Sequence, residues 1–157
     1  MQAAVNAYVT SLGALSGSVR ANGTPVANYG SAIVTAWSDL SGSVSTTGPA
    51  TVDVNGNLSG SVTAGTDATA DVVGDATGPI SAGRDASIAV GGQQAGAVTA
   101  ARNVDVAACG SCSGTIEAGG DASVEAFGDI TSQVTAGGDV TLDTWSDIAS
   151  NVQAGGS

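Results

Sequence analysis

Val44, Val62, Ile80, Val98, Ile116, Val134 and Val152 follow one another at intervals of 18 residues with no gap. Other files of residues keep the same phase. Asp67, Asp85, Asn103, Asp121 and Asp139 form a file of acids and amides, and Val52, Ala70, Ile88, Val106, Val124 and Leu142 an apolar one. Gly56, Gly74, Gly92, Gly110 and Gly128 form a glycine file, while a looser apolar file runs through Leu40, Leu58, Ala76, Gln94, Cys112, Ile130 and Ile148. A unit this short cannot bury an apolar face alone, so repeats of about 20 residues must stack into a solenoid.

The spacing of apolar residues within one unit separates helical from strand-based repeats. In "DVTLDTW", Val140 and Leu142 alternate with Thr141 and Asp143, the two-residue period of a strand. Each unit also carries Gly/Asp-rich punctuation, which leaves room for two or three short strands per turn. The expected fold is all-β, a parallel β-helix (β-solenoid) with 18-residue coils. About seven or eight coils stacked at roughly 4.8 Å would make a rod roughly 35–40 Å long. Composition agrees, since the 42% hydrophobic content is mostly Ala and Val and aromatics are only 3%. Ladders of small side chains fill a narrow coil without large rings. The glycine files are expected where turns demand a left-handed or tight backbone.

Residues 1–157 read as one domain. Trp37 stands six periods before Trp145, so the register reaches back to about Val26. "LSGSV" at 15–19 matches 40–44, but Val19 and Val44 are 25 residues apart, so one unit carries seven extra residues within 20–30. "RANGTPVANYG", with its Gly, Pro and Asn, is the expected loop. Because the repeat is already running near Met1 and stops partway through a unit at "VQAGGS", the chain is expected to be a piece of a longer repeat protein. Its first residues lack the basic and continuous apolar regions of a signal peptide.

A net charge of −11, with no Lys, no His and only Arg20, Arg84 and Arg102, argues against nucleic acid as a partner. A phosphate backbone needs a basic patch, and this chain has none to offer. No apolar run is long enough for a transmembrane helix, so membrane insertion is not expected.

"SAGRDASIAV", "EAGGDASVEA" and "TAGGDVTLDT" resemble the repeats of filamentous haemagglutinin-like exoproteins, the two-partner-secretion and autotransporter adhesin stalks of bacteria. The resemblance runs from about residue 26 onward. It implies a right-handed coil, an extracellular or cell-surface location, and a non-catalytic structural role as a stalk or adhesin. Implied partners are neighbouring repeats of the same chain, and a glycan or cell-surface protein. "ASIAVGGQQAGAVTA" is also similar to the rungs of bactofilins, which implies the alternative of a filament built by end-to-end self-association. A polysaccharide-binding or cleaving β-helix is a third reading.

No catalytic, cofactor-binding or metal-binding set is expected. "C109-G-S-C112" is a lone CxxC without a second ligand pair. Both cysteines fall in files otherwise held by apolar residues and are expected to pack as small hydrophobes, with a local disulfide between Cys109 and Cys112 open to an extracellular chain. Asp53, Asp71 and Asp75 pose the question of acid chemistry, but they follow the period, whereas a catalytic pair needs unequal surroundings. "AGGDAS" lacks the spacing of calcium-binding β-rolls. The file of Leu12, Trp37, Val73, Cys109, Phe127 and Trp145 is expected to pack at a corner; facing water, Trp37, Phe127 and Trp145 would instead form a contact stripe. Arg84 and Arg102 are expected to pair with the neighbouring Asp file. The hydroxyl file of Thr51, Thr69, Ser87, Ser123 and Thr141 is broken by Asp105, which argues against an ice-binding face.

Overall fold

A computed structural model describes residues 6–22 and 30–156. Among them are sixteen strands and no helix, numbered here in chain order. Odd-numbered strands have five residues: β1 (Ala7–Ser11), β3 (Ala32–Ala36), β5 (Ala50–Val54), β7 (Ala68–Val72), β9 (Ala86–Val90), β11 (Val104–Ala108), β13 (Ala122–Ala126) and β15 (Val140–Thr144). Even-numbered strands have three or four: β2 (Val19–Ala21), β4 (Val44–Thr46), β6 (Val62–Ala64), β8 (Ile80–Ala82), β10 (Val98–Ala100), β12 (Ile116–Ala118), β14 (Gln133–Ala136) and β16 (Asn151–Ala154). The two sets form separate eight-stranded sheets, a long sheet β1-β3-β5-β7-β9-β11-β13-β15 and a short sheet β2-β4-β6-β8-β10-β12-β14-β16. Every pairing is parallel, as in Val98 with Ile116 and Ile116 with Val134. The chain is a parallel β-solenoid.

A third line of pairing holds each coil closed. Leu15, Leu40, Leu58, Ala76, Gln94, Cys112, Ile130 and Ile148 are joined in sequence by single parallel bridges. This is the looser apolar file of the sequence. Its members point inward and are fully buried from Leu40 to Ile130.

Side chains alternate inward and outward along each strand. From β3 to β13 each long strand therefore sends three residues to the core, and from β2 to β14 each short strand two, as in Ala50, Val52 and Val54 with Val62 and Ala64. Each fully buried Val or Ile contributes about 1.5–3 kcal/mol. Size is balanced between neighbouring coils: Ala70 lies under Ile88, and Ala76 under Gln94. Gln94 is the polar exception in this file. Its Nε2 donates to the carbonyl of Gly96 at 2.9 Å, but its Oε1 has no hydrogen-bond partner.

The pairs Ala7–Ala32, Leu15–Leu40 and Val19–Val44 are all offset by 25 residues, against 18 for Ala32–Ala50. The additional residues therefore lie between Ala21 and Ala32. The loop expected in 20–30 falls largely on residues 23–29, outside the described residues.

The glycine files have a different cause from the expected one. None of the glycines at the coil contacts adopts a left-handed φ. Close approach is the reason: a Cβ on Gly60 would lie 1.8 Å from the carbonyl oxygen of Gly42, and one on Gly74 would lie 2.4 Å from Oδ1 of Asn57. The second clash explains the recurring Gly-Asp dipeptide. Oδ1 of Asp39 accepts the backbone N–H of Asn57, Asn57 that of Asp75, and Asp75 that of Gln93, at 2.8–2.9 Å. At the other bend Asp85, Asn103 and Asp121 do the same for Asn103, Asp121 and Asp139. At Gly56, Gly74, Gly92, Gly120 and Gly138 that oxygen sits where a Cβ would be, so glycine there leaves room for a close cap; past Arg102 and Ser146 the caps from Asp85 and Asp129 are longer, 3.2 and 3.3 Å.

Where that glycine is replaced, the newcomer binds the acid below. Arg84 Nε lies 3.4 Å from Asp67, and Arg102 Nη2 lies 2.7 Å from Asp85. Ser146 Oγ donates to Asp129.

Candidate functional site

The candidate site is the outer face of the long sheet and the edge beyond it. Inward Ala126 is followed by Phe127, and alternation carries the next side chain out to solvent. Trp37, Phe127 and Trp145 are accordingly 59%, 58% and 68% exposed. Leu12 and Val73 in the same file are exposed too. The expected corner packing is therefore corrected: these residues form a stripe on the surface. Phe127 and Trp145 stack upon each other, with ring centroids 4.7 Å apart and planes 10° from parallel. Trp37 stands several coils away, with Asn55, Val73, Gly91 and Cys109 between.

The cysteines divide at the bend that follows the long strand. Cys109 takes the outward place and is exposed, while Cys112 takes the inward bridge position and is buried; both are free thiols. The expected packing of Cys109 is thus corrected. Burial pushes the Cys112 thiol above its ordinary pKa, and a hydrogen bond donated by Ser132 Oγ opposes that shift.

The acids do not converge. Asp53 and Asp71 are stacked partners on β5 and β7, pointing outward. Asp75 belongs to the capping file instead, with its Oδ1 committed to the N–H of Gln93. Asp129 is held below the usual carboxylate range, first by the hydroxyl of Ser146 and then by the N–H of Asp147. Among the described residues, no three of His, Cys, Asp or Glu come together as a metal-binding group. Arg84 and Arg102 pair with Asp67 and Asp85 as the spacing suggested. Thr51, Thr69, Ser87, Asp105, Ser123 and Thr141 form one outward file on the long sheet.

The sequence reading missed a groove. It measures about 370 Å³ and lies over Ala89, Gly91, Ala107 and Cys109, between Val73 and Phe127. A signal was present, because Ala89, Gly91, Ala107 and Cys109 are small members of two outward files, flanked by Asp71 and Val73 in the coil before and by Glu125 and Phe127 in the coil after.

Compared with known protein families, curated proteins and solved structures, the chain finds no match. No helix among the described residues is long and apolar enough to cross a membrane.

Proposed function

We propose that the chain is a non-catalytic structural segment of a secreted or cell-surface stalk or adhesin. One observation carries this reading. Parallel register continues unbroken from β1 and β2 to β15 and β16, and the recurring acids serve as backbone caps or stand in outward files. A rod so built gains length by adding coils, each stabilised by its neighbours. Its acidic surface favours solubility. The exposed stripe of Trp37, Phe127 and Trp145 gives such a rod a contact face for a glycan or a surface protein.

Atomic force microscopy of tandem copies of the repeat region tests the reading. Stiff rods that lengthen by about 4.8 Å per added coil are expected. Flexible strings of beads would overturn it.

End-to-end assembly in the manner of a bactofilin is a second reading. It is favoured by the uniform parallel register, in which every coil presents the same strand edges to its neighbour. Such an edge accepts a further coil, from the same chain or from a second copy. Sedimentation velocity distinguishes the two, since only self-assembly makes the particles grow with concentration.

A further inference from the structure

Two outward files run side by side along the long sheet. One is Asp53, Asp71, Ala89, Ala107, Glu125 and Asp143, stacked by strand pairing. The other lies just past the strand ends and includes Val73, Gly91, Cys109 and Phe127. In two successive coils both files are short, and the dip between them is the groove of about 370 Å³. Asp71 with Val73 closes one end and Glu125 with Phe127 the other. Each end thus offers a carboxylate beside an apolar group, and the floor is apolar. Three coil steps separate Asp71 from Glu125, about 14 Å at the spacing of paired strands.

Neither carboxylate has an ion-pair partner among the described residues. Arg84 and Arg102 are occupied at another bend by Asp67 and Asp85, and the chain has no Lys. A second copy would bring its own net charge of −11 against these acids. The complementary partner carries positive charge at both ends and an apolar group between them.

We propose that this groove docks an extended basic peptide segment with Lys or Arg at positions i and i+4 and an aliphatic or aromatic residue at i+2. In an extended chain these three side chains leave the same face, and the outer two are about 13 Å apart, close to the separation of the acids. The apolar residue sits on Ala89 and Ala107. The cation that reaches Glu125 also meets the ring of Phe127. Exposed ion pairs are individually weak, so binding requires both ends and the apolar seat together. This inference rests on the groove alone and holds whether or not the rod is a stalk.

Cys109 on the floor is a built-in reporter, and buried Cys112 an internal reference. The rate of Cys109 alkylation by iodoacetamide is read by mass spectrometry as a peptide centred on Lys-Thr-Leu-Thr-Lys is added. Saturating peptide is expected to slow alkylation several-fold. Combining Asp71→Asn with Glu125→Gln is expected to weaken binding by about five- to tenfold, the worth of two exposed pairs. Ala107→Trp, an outward change that leaves the core alone, is expected to abolish protection. Ala89→Leu replaces it as the blocking variant if circular dichroism shows Ala107→Trp unfolded. Equal protection by the peptide with both Lys changed to Gln, or by spermine, would overturn the proposal, as would protection that survives the blocking variant. Protection that rises with protein concentration alone would assign the groove to a second copy and also overturn it.

Discussion

The side-chain oxygen of Asn57 accepts the backbone N–H of Asp75, one coil on, at 2.9 Å. Asn57 itself is capped by Asp39, and Asp75 caps Gln93. An amide between two acids keeps the chain of caps while avoiding three carboxylates in a row. Asn57→Ala is expected to lower stability by about 1 kcal/mol, the usual worth of one hydrogen bond, measured by urea unfolding. Asn57→Asp keeps the acceptor but sets three charges about 5 Å apart. Its cost should shrink as salt rises toward about 1 M, where screening is nearly complete.

Gly60 approaches the coil below so closely that a Cβ would sit 1.8 Å from a carbonyl oxygen, whereas at Gly17 nothing lies within 4 Å. Gly60→Ala forces the backbones of two coils apart and is expected to cost upwards of about 3 kcal/mol. Gly17→Ala should stay within about 0.5 kcal/mol of the parent. Thermal melts of the two variants, side by side, check the contrast. Equal melting temperatures would contradict the close-packed account of the glycine file.

Gln94 buries an amide oxygen without a partner, in a file otherwise made of Leu, Ile, Ala and Cys. Gln94→Leu is expected to raise stability by about 1–3 kcal/mol, because an unsatisfied buried polar group is removed and the volume is kept. Gln94→Ala, which leaves a void, should gain less or lose. Calorimetric melting of both variants decides it.

Cys112 has a folded-state pKa raised above the ordinary thiol value of 9.0, chiefly by burial. Its neutral thiol therefore contributes stability that is fully present below pH 9.0 and is lost as pH rises through the folded value. Alkaline unfolding is expected to shift upward in Cys112→Val. Asp129 has the opposite sign: its lowered pKa contributes stability present above the ordinary value of 3.8 and lost as pH falls through the folded value. Ser146→Ala, which removes the main cause of the shift, should bring acid unfolding to a higher pH.

Phe127 and Trp145 stack in water and not in the core. A double-mutant cycle with Phe127→Leu and Trp145→Leu is expected to give a coupling of about 0.5–1 kcal/mol. Trp145 fluorescence should report loss of the stack in Phe127→Leu without global unfolding.

The strict interval from Val44 to Val152 was enough to read the ladders of the short sheet and the parallel solenoid, because stacked coils must repeat in space what repeats along the chain. The sidedness of Phe127 and Cys109 was also legible, through simple parity with inward Ala126 and Ala108, but a strand end invites the assumption of a packed corner. Parity also carries across the bend: Cys109 and Cys112 are three residues apart and so take opposite sides, Cys109 outward and Cys112 inward. The caps were harder to see. A file of Asp and Asn reads as solvated turn residues until the adjacent glycine is recognised as the space left for an oxygen from the coil below. The groove needed two files to be compared at once, where each alone shows only a local run of alanine.

The caps from Asp39 to Asp147 all reach the same way, oxygen to the amide of the following lap. These caps make the rod vectorial: at one tip the spare capping groups are oxygens and at the other amide N–H groups, although the strand edges offer both kinds at either tip. Reversed, two such rods would set capping oxygen against capping oxygen. Any longer fibre that kept these caps would therefore be joined nose to tail and would have unlike tips.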